Sequence, residues 1–194
     1  MGGLSECGKT TAGYRFQELG VRKSKIIHIE YDMMRERGIN PDHGLTPDDF
    51  ESLYKENPDE AFKEFLFRLI EKMKAENNPY ASLESLYRAP LGEFIKKELR
   101  DKAVNIYIEA PVEDRAYREW VKVNAKATEN GMPPIALETM IAQVNQKDQF
   151  KMDRQAMLVR DIADHVIDNS KSVSKDEFLA RIDAVAASLG VTTP

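Results

Sequence analysis

Gly3-Leu4-Ser5-Glu6-Cys7-Gly8-Lys9-Thr10, followed by Thr11, is the stretch that decides the fold. It follows the pattern G-x-x-x-x-G-K-T, in which the glycines let consecutive backbone N–H groups turn inward around an anion. The helix that follows such a loop presents its positive N-terminus to the same anion. The pattern places Lys9 against β- and γ-phosphates and the Thr10 hydroxyl on Mg²⁺. We therefore predict a nucleotide-phosphate-binding loop made by Gly3, Ser5, Glu6, Cys7, Gly8, Lys9, Thr10 and Thr11.

This loop needs a strand before it and a helix after it. Residues 11–19 predict the helix, which ends at Gly20, a residue type typical of the position after a helix C-terminus. Only Met1 and Gly2 precede Gly3, too few for the apolar run from which the loop should hang. We therefore expect the natural first strand to extend upstream of residue 1.

Composition narrows the class of protein. A chain of 194 residues fits one domain, and a net charge of −5 argues against a general nucleic-acid binder. The single cysteine, Cys7, excludes an internal disulfide and a cysteine-based zinc cluster. No apolar stretch approaches the roughly 18 residues of a membrane span, and no signal peptide is visible. These features predict a cytoplasmic protein with no nucleic-acid and no membrane partner.

Apolar runs and capping signals predict alternating strands and helices along the chain. Strands are predicted at residues 25–31, 79–86, 103–109 and 165–167. Further helices are predicted at residues 32–37, after Thr46, after Asn57, at 90–100, from Pro111, at 135–159 and after Ser174. Strands that alternate with helices favour a parallel sheet with right-handed crossovers.

Asp32 and Arg35 follow the second predicted strand. Open α/β sheets bind ligands at the carboxyl ends of their strands, where Asp32 could take a proton from an attacking hydroxyl and Arg35 could hold a phosphate. Alternatively, Asp32 caps the next helix and Arg35 is a solvated charge. The two roles of Asp32 are compatible.

Glu84 and Arg88 follow the third predicted strand in the same way. An acid at the end of a core strand suits a direct or water-mediated contact with Mg²⁺, and Arg88 could reach an anion of the substrate. Glu84 could instead be an exposed strand-end residue, and Glu109 is a weaker rival for the acidic role.

Cations recur at helical spacing in the last third of the chain. They form two stripes, Arg115, Arg118, Lys122 and Lys126 in the first, and Lys147, Lys151 and Arg154 in the second. The stripes flank a break at Met132-Pro133-Pro134, which suits a mobile lid that closes over transferring phosphates. Of these cations, Arg118 and Arg154 are the predicted catalytic residues, and Lys147 and Lys151 are predicted to bind substrate. The alternative is two solvated faces, because acidic residues are interspersed with the cations.

In the order of these parts the chain resembles the P-loop small-molecule kinases of the nucleoside monophosphate kinase group. Residues 29–36 look like the segment after the second strand of adenylate kinases, whose Asp-x-x-Arg places the arginine on the acceptor phosphate. In dephospho-coenzyme A kinases an aspartate in the similar place is taken as the base on the acceptor hydroxyl.

Two C-terminal segments extend the resemblance. Residues 163–170 are similar to the A-D-x-V-I-x-N-S ending of dephospho-coenzyme A kinases, which implies that Asn169 lies near the adenine of the donor. Residues 146–154 resemble the R-D-x-x-D-x-x-R lid of cytidylate kinases, although Lys147 stands at an arginine position and Lys151 at an aspartate position.

We thus predict an α/β fold of the P-loop nucleoside triphosphate hydrolase type, with a short parallel sheet between helices. The single domain of residues 1–194 divides into a core (about 1–38, 79–125 and 156–194), a helical acceptor-binding insertion (about 39–78) and a lid (about 126–155). The predicted reaction is ATP- and Mg²⁺-dependent transfer of the γ-phosphoryl group to a small nucleotide-like or phosphorylated acceptor. Catalysis is expected from Lys9, Asp32, Arg118 and Arg154. The alternatives are an ATP- or GTP-binding regulatory module and an inactive remnant, although no N-K-x-D guanine-specificity sequence is present.

Overall fold

Four short parallel strands form two pairs in the structure, a computed structural model that describes residues 1–42 and 44–191. The strands are β1 (Arg22–Lys25), β2 (Ala81–Glu84), β3 (Ile106–Glu109) and β4 (His165–Asp168). β1 pairs with β2 and β3 pairs with β4, both in parallel. Residues 43 and 192–194 of the predicted domain lie outside the described part of the chain.

Residues 1–3, here called the central segment, lie between β2 and β3 and join the two pairs. The Leu86 N–H donates to the Met1 carbonyl at 2.9 Å, the Gly2 N–H donates to the Ile106 carbonyl at 2.7 Å, and the Ile108 N–H donates to the Gly2 carbonyl at 3.1 Å. The segments thus lie in the order β1, β2, central segment, β3, β4. Neighbouring strands on both sides thus satisfy the backbone groups of even so short a segment. That the first strand extends upstream of residue 1 stays a prediction.

Nine helices surround the strands in the described residues: α1 (Lys9–Glu18), α2 (Ile26–Glu36), α3 (Pro47–Lys55), α4 (Pro58–Ala75), α5 (Ala89–Leu99), α6 (Val112–Glu129), α7 (Leu137–Met152), α8 (Leu158–Asp161) and α9 (Lys175–Ser188). A short 3₁₀ turn covers Arg100–Lys102. The predicted caps are confirmed: Asn57 accepts from the Glu60 N–H at 3.3 Å, and Ser174 accepts from the Glu177 N–H at 3.2 Å. The architecture is mixed α/β.

The prediction of a strand at residues 25–31 was wrong. The strand, β1, is the polar run before it, and α2 begins at Ile26. The buried residues of α2 are Ile26, Ile29, Glu30, Met33 and Met34. Their spacing of three and four residues is that of one helix face, and the apolar ones pack together in one core.

The single helix predicted at residues 135–159 is also interrupted. α7 ends at Met152, Gln155 adopts a positive φ of 63°, and α8 begins at Leu158. Ala156 in the turn is 1% exposed and Val159 in α8 is 0% exposed.

Separate apolar cores cover the two faces of the sheet. Along β3, Ile106 and Ile108 join the core formed with α1 and α9, whereas Tyr107 joins the core formed with α2, α4 and α5. This alternation follows from the period of two along a strand. The predicted insertion contributes α3 and α4 to the second core, and α7 packs on α6 through Ala116, Met140 and Val144. None of the described helices is long and apolar enough to cross a membrane.

Candidate functional site

Residues 3–10, here called the glycine loop, begin at the last residue of the central segment and end in the first turn of α1. Gly3 and Gly8 both have positive φ values, 133° and 111°. A Cβ at Gly3 would lie 2.3 Å from the Ile108 carbonyl oxygen, and a Cβ at Gly8 would lie 2.4 Å from the Asn169 side-chain nitrogen. Glycine is therefore required at both positions on two grounds, conformation and space. Gly8 is the N-cap of α1 and provides no side-chain cap, so the first-turn N–H groups of α1 remain available to an anion.

A cleft of about 1170 Å³ opens in front of the glycine loop. We call it the main cleft. Residues from the loop, α6, α7, α9 and the segments after β2 and β4 line it. Six of the lining residues are cations: Lys9, Arg118, Lys122, Lys147, Lys151 and Lys175. Only two acids, Glu6 and Glu119, are among the lining residues. The excess of positive charge suits a polyanionic ligand.

Lys9 lies directly against the loop. Its Nζ donates to the Gly3 carbonyl at 2.9 Å and to the Leu4 carbonyl at 2.5 Å, and it lies 3.4 Å from the Cys7 sulfur. The side chain is 7% exposed. These neutral partners hold the ammonium in place without neutralising it, so its charge remains available to an anion in the loop.

Arg118 and Lys151 carry further positive charge that the protein does not neutralise. Arg118 donates to the Asn169 carbonyl at 2.9 Å, while its Nε and one terminal nitrogen are buried and have no hydrogen-bond partner in the described residues. Burial lowers the pKa of Arg118. Burial, followed by the proximity of Lys9, lowers the pKa of Lys151 to about 8. Unpartnered cations at low exposure are stabilised when an anion binds between them.

Arg115 and Asp148 brace the loop from behind. Their side chains form an ion pair at 2.7 Å and are both 4% exposed. Asp148 also accepts from the Ser5 N–H at 2.7 Å, and Arg115 donates to the Ser5 carbonyl at 2.7 Å. The first stripe of cations is therefore divided, since Arg115 is a structural residue whereas Arg118 and Lys122 line the main cleft.

Thr10 and Glu84, the predicted metal ligands, lie together. The Thr10 hydroxyl is 3.4 Å from Oε2 of Glu84, which is 1% exposed. Glu84 Oε1 lies 3.3 Å from the Lys23 ammonium but lacks hydrogen-bond geometry with any partner in the described residues. A Cβ at Gly13 would lie 2.0 Å from this oxygen, so glycine makes room for the carboxylate.

No group of three or more His, Cys, Asp or Glu side chains in the described residues could hold a metal ion. A hydroxyl and one carboxylate fit Mg²⁺, which keeps several waters and takes its other ligands from phosphates. The pair of Thr10 and Glu84 is therefore compatible with a metal that arrives with a nucleotide.

Arg88 and Arg154 converge outside the main cleft, on Glu51 of α3. Arg88 donates to both carboxylate oxygens of Glu51, at 2.8 Å and 3.0 Å, and the Arg154 Nε lies 3.3 Å from one of them. The structure thus brings together two arginines that the sequence analysis assigned to different roles. Their shared partner, Glu51, was not identified from the sequence.

Asp32 and Arg35 are not brought to the main cleft. They lie on α2 rather than at the end of a strand, because residues 26–36 are helical. Asp32 pairs with Lys72 at 2.6 Å and with Arg35 at 3.2 Å. Neither residue is among those that line the cleft.

Sequence reasoning identified neither the ion pair of Arg115 and Asp148 that supports the loop nor much of the cleft wall. Asn169, known only through the family resemblance, donates to the Cys7 carbonyl at 2.8 Å and so holds the loop. Phe150, Val173 and Phe178 add apolar surface to the wall. Only Asn169 carried a usable signal, its place directly after β4.

Comparisons with known proteins leave the family open. No protein-family model and no curated protein matches the chain. The crystal structure of TT1252 from Thermus thermophilus superposes with a TM-score of 0.57, over 96% of this chain and 94% of that chain, at 18% sequence identity. At this identity the likeness shows the α/β fold alone.

Proposed function

We propose that this protein is a P-loop kinase that transfers the γ-phosphoryl group of ATP to a small nucleotide-like or phosphorylated acceptor. The observation that carries the proposal is the convergence of Lys9, Arg118 and Lys151 around the glycine loop and the open N-terminus of α1. Catalysis of phosphoryl transfer consists largely of positioning and charge stabilisation, for which such a set of cations is suited.

The residues present fit Mg·ATP. Two buried donors of Arg118 have no hydrogen-bond partner among the described residues, which supports a ligand that supplies anionic oxygens. The loop amides and Lys9 would hold the phosphates, and Thr10 with Glu84 would hold Mg²⁺. When bound, Mg·ATP supplies an activated phosphoryl group for transfer to a nucleophile.

The cations of α6 and α7 have the second task. Arg118, Lys147 and Lys151 would compensate the charge that develops on the transferring group, and one arginine in such a position can contribute about 10³–10⁵ in rate. Arg88 and Arg154 would bind the anionic group of the acceptor. Asp32 and Arg35 have no part in this proposal, because neither residue lines the main cleft and neither pairs with a residue that does, whereas Arg154 stacks on Phe150 of the cleft wall.

The first test is the substitution Lys9→Ala, compared with Lys97→Ala as a control on the exposed face of α5. We expect Lys9→Ala to abolish the heat of Mg·ATP binding in isothermal titration calorimetry and to abolish turnover. Lys97→Ala should behave like the native protein. Because Lys9 is buried, Lys9→Met, which keeps an apolar stem of similar length, separates a loss of charge from a loss of packing.

The second test pairs ATP consumption with a panel of nucleoside monophosphates, dephospho-coenzyme A and small phosphorylated metabolites. Acceptor-dependent consumption of ATP by the native protein supports the kinase. Slow hydrolysis that no acceptor changes would favour a nucleotide-binding regulatory module, and absence of binding heat in the native protein would favour an inactive remnant. Undiminished activity of Lys9→Ala would refute the kinase proposal.

A further inference from the structure

Two arginines with mostly buried side chains hold one partly exposed carboxylate at the edge of the main cleft. Arg88 is the N-cap of α5, and Arg154 follows α7. Their side chains are 13% and 9% exposed, whereas that of Glu51 is 47% exposed. We call the space between the two guanidinium groups the arginine seat.

The arginine seat is held rigidly from below. The Arg88 guanidinium lies 4.4 Å from the ring centre of Tyr54 and 5.2 Å from that of Tyr87. Both tyrosine hydroxyls donate to the same oxygen of the buried Glu30, at 2.9 Å and 2.7 Å, which fixes the two rings. Arg154 stacks on Phe150 at 3.7 Å. Such a preorganised pair of guanidinium groups loses little entropy when it binds an anion.

The donors of the seat exceed what Glu51 uses. Two guanidinium groups share one carboxylate, and the buried Nε of Arg88 has no hydrogen-bond partner in the described residues. The Arg88 guanidinium lowers the pKa of the Glu51 carboxyl, which is therefore ionised at neutral pH. The nearby Glu30 does not accept a hydrogen bond from the unpartnered Arg88 donor, because its contacts go to the tyrosines. Burial also raises the pKa of Glu30.

The seat also adjoins the main cleft. Ser85, three residues before Arg88, and Lys151, three residues before Arg154, both line that cleft. An anionic group of a ligand in the cleft could therefore reach the guanidinium groups once Glu51 has moved aside. As a residue of α3, Glu51 would carry part of the predicted insertion with it.

We propose that the arginine seat is an oxyanion-binding site and that Glu51 is its built-in occupant, which a ligand must displace. The identity of that ligand as the kinase acceptor rests on the proposed function; the competition between Glu51 and an oxyanion does not. A tethered carboxylate competes at an effective concentration on the order of millimolar, so only an anion that binds more strongly than a single carboxylate displaces it. Displacement also breaks the link from α3 to Arg154.

The test compares Glu51→Gln with Glu56→Gln, an exposed glutamate at the C-cap of the same helix. Inorganic phosphate and acetate are titrated separately at constant ionic strength. Because the glycine loop also binds phosphate in the proposed function, the readout is local: the side-chain Nε–H NMR signals of Arg88 and Arg154. Thermal melting of each variant shows that it is folded.

We expect Glu51→Gln to bind phosphate at the seat about tenfold more tightly than the native protein, which corresponds to about 1.4 kcal/mol. Glu56→Gln should leave the affinity unchanged, and adding Arg88→Lys to Glu51→Gln should remove the gain. A gain for acetate but not for phosphate would assign the seat to a carboxylate ligand. Equal affinities of the native protein and Glu51→Gln, or a gain that survives Arg88→Lys, would overturn the proposal.

The outcome is distinguishable from that of the kinase test. Loss of Mg·ATP binding in Lys9→Ala concerns the glycine loop, whereas the phosphate-dependent signals concern only Arg88 and Arg154. The kinase test can fail while Glu51→Gln is folded and binds phosphate at the seat more tightly than the native protein does. In that case the seat stands as a binding site without the kinase activity.

Discussion

Lys151 illustrates how one residue connects the fold to pH. Its ammonium lies in the main cleft near Lys9, and burial together with this neighbour lowers its pKa from 10.5 to about 8. An anion bound beside it favours the protonated form and raises the pKa again. Affinity for a polyphosphate is therefore linked to the protonation of this one side chain.

We predict that the affinity for inorganic tripolyphosphate falls as the pH rises through about 8, by up to about tenfold per pH unit, because Lys151 deprotonates in the free protein. Isothermal titration between pH 7.5 and 9.5 measures the effect. Lys151→Arg keeps its charge over this range and should give a flatter profile. A native profile as flat as that of Lys151→Arg would contradict the prediction.

The same pKa shift acts on stability in the opposite sense. Between pH 8 and 10.5 the unfolded chain binds more protons at Lys151 than the folded protein does. Its contribution to the free energy of unfolding therefore rises with pH across that window. At high pH Lys151 is neutral in the folded protein. It then contributes less to phosphate binding but lowers the free energy of unfolding the least.

At the scale of elements, the Arg115–Asp148 pair joins α6, α7 and the glycine loop. Removing one partner of a buried ion pair leaves the other charge without compensation, which costs about 3–5 kcal/mol. We predict a loss of this size for Asp148→Ala in urea denaturation. Since Asp148 also accepts from the Ser5 N–H, binding of Mg·ATP should weaken as well.

Asp153→Ala is the matched control for that substitution. Asp153 lies at the C-cap of the same helix, is exposed and accepts only from the Gln149 side chain among the described residues. Its loss should change stability by no more than about 0.5 kcal/mol. Replacing both buried partners, as Arg115→Met with Asp148→Leu, should recover part of the stability. Equal losses of stability in Asp148→Ala and Asp153→Ala would show that the Arg115–Asp148 ion pair has no special role in stability.

The spacing of apolar residues identified most helices, but it failed at α2 and at the turn between α7 and α8. The residues Ile26, Ile27 and Ile29 are β-branched and typical of a strand, and only the longer spacing through Met33 and Met34 indicates a helix. Placing Asp32 at the end of a strand was a consequence of that error. Similarly, no local signal marks the turn at Gln155, which depends on where Ala156 and Val159 can be buried.

The candidate site divides in the same way. The glycine loop, Glu84 and the cations Arg118, Lys147 and Lys151 could be predicted, because each belongs to a local pattern that the sequence displays. Asp148 and Glu51 could not, since their roles depend on partners 33 and 37 residues away. A contact between distant residues leaves no local pattern in a single sequence.

At the scale of the whole molecule, Gly2 holds the two halves of the sheet together. Its backbone pairs with β3, and the neighbouring Met1 carbonyl accepts from Leu86 beyond β2. A Cβ at Gly2 would lie 2.4 Å from Cγ1 of Val159, a side chain that is fully buried under the sheet. The two residues therefore approach each other too closely for a side chain at residue 2 unless Val159 shifts.

We predict that Gly2→Ala lowers the free energy of unfolding by about 1–3 kcal/mol, because the added methyl group overpacks against the buried Val159 side chain. Val159→Ala alone should also destabilise, by about 1–3 kcal/mol, because it leaves a cavity. In the double variant the removed Cγ1 makes room for the new Cβ, so the combined loss should be smaller than the sum of the single losses. Urea denaturation of the four proteins, followed by Trp120 fluorescence and by far-ultraviolet circular dichroism, measures this coupling. Additive losses would mean that the sheet relaxes around residue 2, and that the two halves are joined by its backbone pairing alone.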